Sequence, residues 1–147
     1  MTLLLGLGII GSRSADQLVA AGHPLKTWNR TPKNRPDSAD DPASAAAEAD
    51  IIISYLRDEV AVREVFSNIK SQLDESKTFI NHSTIDPDTT VWLDRQCREI
   101  GCGFLAFIPV KLEDEGFVGE GELHDVGAVA FLPFSESRFG FGVKSAD

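Results

Sequence analysis

Leu3-Leu4-Leu5-Gly6-Leu7-Gly8-Ile9-Ile10-Gly11-Ser12-Arg13 decides how this chain folds. An apolar strand runs into Gly-x-Gly-x-x-Gly, and helical spacing of Ile10, Ala15, Leu18 and Val19 follows. Gly6 lets the chain turn sharply off the strand. Gly8 lets backbone N–H groups approach a diphosphate with no Cβ in the way. Gly11 lets the helix lie against the sheet with its positive end toward the phosphates. The motif alone is weak evidence, but a strand precedes it, a helix follows, and a second strand with a polar tip arrives at the expected distance. A dinucleotide site is expected.

The second strand is Leu25-Lys26-Thr27-Trp28, reached after a helix over about 9–21 that stops at Gly22. Its tip reads Asn29-Arg30-Thr31, with Lys33 close behind. In NAD-binding versions of this fold an Asp or Glu at the tip takes the adenosine ribose hydroxyls, and it would repel a 2′-phosphate. Here Asn29 is neutral, Arg30 offers a fork of donors, Thr31 a hydroxyl and Lys33 a charge. That set suits a phosphate and favours NADP over NAD. The alternative is a basic turn that is merely solvated.

The remaining pattern alternates strands and helices. Residues 32–42 are polar and proline-broken, where a loop replaces the usual second helix and short third strand. A short alanine-rich helix over 43–49, begun by Asp41 or Pro42, leads to Ile51-Ile52-Ile53-Ser54-Tyr55-Leu56, a β-branched run suited to a buried parallel strand. Asp58 caps a helix over about 59–66 whose Val62, Val65 and Phe66 face inward, with a further helical turn near 69–73. Thr78-Phe79-Ile80-Asn81 is the next strand, and Asp86-Pro87 starts a helix to Ile100 that buries Val91, Leu93 and Cys97. His82 beside Ser83 suggests a nucleophile pair, but neighbours on a strand face opposite ways and no nucleophile elbow surrounds Ser83. Gly103 to Val110 reads as a last strand. After it the pattern fails, apart from a possible strand over 128–132, and Phe131, Phe134, Phe139 and Phe141 need burial or a partner.

Composition sets the outer limits. The 147 residues, 42% hydrophobic and 25% charged, suit one soluble domain with a real core. A formal net charge of -9 disfavours nucleic acid and anionic membranes as partners, though not one anion held by amides and an arginine. Cys97 and Cys102 have neither zinc-site spacing nor a disulfide framework, so no metal and a cytoplasmic location are expected. The apolar opening lacks a basic n-region and is cut by glycines, unlike a secretory signal, and no run is long enough to span a membrane.

Four blocks, Gly6-Leu7-Gly8-Ile9-Ile10-Gly11-Ser12, Trp28-Asn29-Arg30-Thr31-Pro32, Ala49 to Asp58, and Ser83-Thr84, resemble in order the N-terminal domain of the β-hydroxyacid dehydrogenases. That family includes 3-hydroxyisobutyrate and 6-phosphogluconate dehydrogenases, glyoxylate/succinic semialdehyde reductases and imine reductases. The resemblance implies an α/β fold, a Rossmann-type doubly wound parallel sheet over 1–110, shortened after its second strand, with 111–147 as an irregular tail. It implies that Leu7, Gly8, Ile9 and Ile10 line the diphosphate and nicotinamide, and that Asn29, Arg30 and Thr31 hold the 2′-phosphate. Tyr55 and Leu56 would lie along the ribose, Val62 beside the adenine and Thr84 near the nicotinamide ribose. The implied activity is hydride transfer between NADP(H) and a small carbonyl, hydroxy acid or imine.

Two departures limit that activity. The family's Ser-Gly-Gly substrate loop is replaced by Lys111-Leu112-Glu113, and the helical domain expected to carry the catalytic lysine and much of the dimer interface is not within these residues. Gly140-Phe141-Gly142-Val143-Lys144 echoes the entry to the lysine helix only by coincidence. No catalytic residue is therefore assigned. Three outcomes stay open: an oxidoreductase domain completed by a partner chain or oligomer, a catalytically inactive NADP-binding module, or a chain beyond Val110 not evolved for this fold.

Overall fold

In a computed structural model, residues 1–107 are described in full up to Ala106, together with the backbone of Phe107 and of two short segments further on. Five parallel strands come first: β1 (Thr2–Leu5), β2 (Leu25–Trp28), β3 (Ile51–Ser54), β4 (Thr78–Asn81) and β5 (Gly103–Phe107). They alternate with α1 (Ile9–Ala20), α2 (Pro42–Glu48), α3 (Glu59–Ile69) and α4 (Pro87–Ile100). Two short strands, β6 (Val129–Phe131) and β7 (Gly142–Val143), extend the sheet antiparallel beside β5. The order is β2-β1-β3-β4-β5-β6-β7.

This is the expected Rossmann-type fold. β1 is apolar on both faces because both are covered. Leu3 and Leu5 join the core beneath α2, α3 and α4, while Leu4 meets Leu7 and Ala15 beneath α1. All three strand leucines are 0% exposed, as the period of two demands of a central strand.

The helix ends follow local chemistry. Asp41, Asp58 and Asp86 accept from the backbone N–H of Ser44, Ala61 and Thr89, each satisfying an amide of a first turn. Gly22 and Gly101, both at positive φ, follow α1 and α4. α2 has no such glycine. Instead Lys77 is buried and donates Nζ to the carbonyls of Ala46, Ala47 and Ala49, which places a cation on the negative end of that helix.

Three details differ from expectation. The loop over 32–42 keeps a remnant of the missing strand: Ser38 bridges Thr27 in parallel, with Thr27 N–H donating to Asp37 and Ala39 N–H to Thr27 at 2.8 and 2.7 Å. α3 runs unbroken to Ile69 before one 3-10 turn (Lys70–Gln72). Val91 is exposed, and Thr89 is buried in its place. The inward face of α4 is Thr89, Leu93 and Cys97, spaced by four, and Val91 lies off that phase. The guanidinium of Arg63 reaches Thr89 Oγ1 at 3.1–3.2 Å and lies over Trp92, so the buried hydroxyl is satisfied.

The strand expected over 128–132 is β6. Gly142-Val143 is strand, not a glycine-rich entry to a helix. Apart from the backbones of β6 and β7, the rest of 108–147, including the boundary at 110, Lys144 and the phenylalanine side chains, lies outside the described residues. No helix among the described residues is long and apolar enough to cross a membrane.

Candidate functional site

The chain steps from β1 outward to β2, then returns to lay β3 on the other side of β1. Loops that leave β1 and β3 therefore diverge, and a crevice opens above their carboxyl ends. A cleft of about 640 Å³ lies there. Its walls come from four segments at the strand ends: Gly6 with Gly8 to Gly11, Trp28 to Arg30, Tyr55 to Asp58 and His82 to Thr84, with the first turns of α3 closing one side.

The glycine loop is a tight main-chain device. Gly6 has φ +98°, and a Cβ there would lie 2.2 Å from the Tyr55 carbonyl oxygen. A Cβ on Gly11 would lie 2.0 Å from the carbonyl oxygen of Gly6. Neither site has room for a side chain. Gly8 differs, since a Cβ there meets nothing within 4 Å and would project into open space. Gly8 also begins α1 with no side-chain cap, and no acid sits in the first turn. The positive end of this helix thus carries neither a side-chain cap nor an acid of its own first turn.

Side chains then hold the loop to its neighbours. Leu7 N–H donates to Asn29 Oδ1 at 2.8 Å, and Asn29 Nδ2 donates to the Thr31 carbonyl at 2.7 Å. Asn29 therefore joins the glycine loop to the tip of β2. The Leu7 side chain is 3% exposed and packs with Leu4 and Ala15, so it does not line the cleft. Ile9 and Ile10, at 79% and 67% exposed, do line it.

Below the far wall, a polar network holds two loops. Ser54 Oγ donates to Asn81 Oδ1 at 2.7 Å, and Asn81 Nδ2 donates to the Ser83 carbonyl at 3.1 Å. Leu56 N–H donates to Ser83 Oγ at 2.7 Å. Ser83 is thereby occupied in positioning the loop after β3, while Thr84 beside it is exposed on the cleft. Tyr55 stacks on His82 with ring centroids 4.7 Å apart, and its hydroxyl accepts from Ser14 Oγ. Burial pushes the His82 pKa down, which disfavours the charged ring.

At the other end Arg30 meets Glu64 of α3 at 2.5 Å, and Arg57 Nε donates to Asp58 at 2.8 Å. The backbone amide of Ala61, then Arg57, hold the Asp58 carboxyl below its ordinary value.

The fold thus brings Gly6, Gly8, Ile9, Ile10, Gly11, Asn29, Arg30, Tyr55, Leu56 and Thr84 to one cleft. It does not bring Thr31 or Lys33, which are exposed in the turn beyond. Val62 requires correction. It is 0% exposed within the core, because the face of α3 carrying Val62, Val65, Phe66 and Ile69 is turned to the sheet. From α3 the cleft is lined by Val60, Ala61, Glu64 and the edge of Val65, and not by Val62. Val62 itself does not reach the cleft, and the one-hundred-degree step of the helix was the available signal for Val60. Among the described residues no group of three or more His, Cys, Asp or Glu could hold a metal.

The sequence model of the NAD binding domain of 6-phosphogluconate dehydrogenase matches residues 3–111. The chain is 35% identical over 98 residues to cytokine-like nuclear factor N-PAC of Drosophila melanogaster, covering 59% of this chain and 16% of that protein. It is 27% identical over 112 residues to the chloroplastic glyoxylate/succinic semialdehyde reductase 2 of Arabidopsis thaliana, covering 69% of this chain and 31% of that one. A reductive aminase from Aspergillus terreus, solved with NADPH and ethyl levulinate, superposes with a TM-score of 0.66 at 25% identity, over 73% of this chain and 40% of that chain. The chain spans less than a third of these two curated relatives. It belongs to the NAD-binding domain family of 6-phosphogluconate dehydrogenase, the nicotinamide-cofactor-binding domain of the β-hydroxyacid dehydrogenase-like oxidoreductases.

Proposed function

We propose that residues 1–110 bind NADP(H) as the cofactor domain of an oxidoreductase acting on a small carbonyl, hydroxy acid or imine, in the cytoplasm. The observation that carries the cofactor is the uncapped start of α1 behind Gly8, where a Cβ would meet only open space. An anion there gains amides and helix dipole together. Gly6 and Gly11 hold the loop in shape for it. Ile9 and Ile10 offer an apolar surface to the nicotinamide, Tyr55 and Leu56 lie along the ribose, and Thr84 offers its hydroxyl near the nicotinamide ribose. Asn29 positions the turn from which Arg30 takes the 2′-phosphate, with Thr31 and Lys33 at the rim.

When bound, the cofactor supplies a hydride at nicotinamide C4, and the protein contributes placement and exclusion of water. The test is titration with NADPH and NADH, read by energy transfer from Trp28 on the cleft wall to the reduced nicotinamide. Saturable binding is expected, tighter for NADPH. No saturable signal from the folded protein would defeat the assignment.

A second reading is a cofactor-binding module with no turnover of its own. It is favoured by the residues around the cleft. Among the described residues no lysine lines it, and its histidine is stacked on Tyr55. A proton for a product oxygen would then come from a partner chain or a second copy. NADPH oxidation assayed with glyoxylate, succinic semialdehyde and a cyclic imine separates the two: binding without turnover supports the module.

A further inference from the structure

Among the described residues, both cations lining the adenosine end of the cleft have an acidic partner. Arg30 is held by Glu64 and Arg57 by Asp58, so two positive and two negative side chains cancel there. Asp58 is committed to α3, since its other oxygen takes the Ala61 amide. Glu64 has no such duty. It stands 58% exposed on the cleft face of α3, and Arg30 is 67% exposed, so their pairing is a weak surface contact that a ligand displaces easily.

We infer that Glu64 is a specificity-determining residue that opposes the 2′-phosphate and narrows the preference for NADPH over NADH. This rests on the cofactor reading above. A 2′-phosphate must draw Arg30 away from Glu64, and it then leaves a carboxylate facing a near-dianion across the same cleft. That like-charge juxtaposition works against one coenzyme only. NADH presents a ribose hydroxyl instead, which a carboxylate accepts from without repulsion. The acid that recognises a ribose diol in NAD-binding folds normally stands at the end of β2. Here that place is taken by Asn29-Arg30, and the carboxylate comes from α3 across the cleft.

The experiment measures NADPH and NADH affinities for wild type, Glu64→Gln, Arg30→Ala and Glu48→Gln, by energy transfer at fixed ionic strength. Glu48→Gln, on α2 and away from the cleft lining, controls for the change in net charge. Glu64→Gln is expected to tighten NADPH about three- to tenfold and to leave NADH within about twofold. Glu48→Gln should change neither. An unchanged NADPH-to-NADH ratio in Glu64→Gln, or weaker NADPH, overturns the role of Glu64 even when Arg30→Ala weakens NADPH as expected. If wild type binds neither coenzyme, the cofactor reading itself fails and this inference falls with it.

Discussion

The two ends of the cleft are built from different materials. The end at the glycine loop is main chain: three glycines and the start of α1, shaped by contacts that leave no room for a Cβ at Gly6 or Gly11. The end at Arg30 is side chain, with charges from the β2 tip, the turn after β3 and the face of α3 meeting at the surface. The first end is rigid and nearly free of choice. The second can be retuned by single substitutions without harm to the fold. Stability and affinity should therefore separate between the two ends.

The sharpest break is within the glycine loop itself. Gly11→Ala forces a Cβ onto the Gly6 carbonyl, so β1, α1 and the loop must shift apart. We expect a loss of about 3 kcal/mol or more of stability, visible as a fall in Tm on thermal unfolding. Gly8→Ala should behave oppositely. Its backbone, φ -71° and ψ -165°, suits any residue and its Cβ meets nothing. Stability should stay within about 1 kcal/mol, while NADPH affinity drops about tenfold or more as the methyl occupies the diphosphate's approach. Equal damage to stability from both would erase the distinction.

Arg30→Ala tests the other end. Loss of a charge-assisted bond to the 2′-phosphate should weaken NADPH by about 1–3 kcal/mol, with NADH spared and Tm unmoved. Equal losses for both coenzymes would remove Arg30 from the phosphate. Between the ends, Ser83 and Thr84 form a matched pair. Ser83→Ala leaves the Leu56 amide without its acceptor inside the protein, costing about 1–3 kcal/mol of stability. Thr84→Val, at an exposed position, should cost none by the same thermal measurement.

Legibility in the sequence follows the same division. Main-chain requirements are local, so Gly-x-Gly-x-x-Gly, the capping aspartates Asp58 and Asp86 and the apolar runs of β1 and β3 could be read from short windows. The partner of Arg30 could not, because Glu64 lies on α3 and only the packing of that helix brings it across. Ser83 was legible as part of the Ser83-Thr84 block, but its turn toward Leu56 depends on the register of β3 with β4. Val62 and Val91 show the same limit within single helices. A hydrophobic residue signals burial, but the helical phase decides which residues obtain it, and Thr89 takes the inward place with help from Arg63. The proline-broken loop looked structureless for a related reason: what orders it is a bridge to Thr27 and charges drawn from α1.

Those charges give the smallest effect, and it falls on one end only. Arg35 places Nε and Nη2 on the Asp37 carboxylate at 2.9 and 3.0 Å, and Nη1 on Asp16 of α1 at 2.7 Å. Thr27 Oγ1 donates to the same Asp37 carboxylate, so the turn beyond Arg30 is tied to β2 and α1. The Arg35 fork holds the Asp37 carboxyl below its ordinary value. A lowered carboxylate pKa adds stability in full above the unfolded value, about 4, and loses it as pH falls through the folded one. Asp37→Asn should therefore cost about 1 kcal/mol near neutral pH, by denaturant unfolding, and the gap to wild type should close below about pH 4. The glycine loop contains no titrating group, so Gly8→Ala should show no such convergence. A gap for Asp37→Asn that persists unchanged in acid would mean that the turn is held by its backbone bridge to Thr27 and not by its charges.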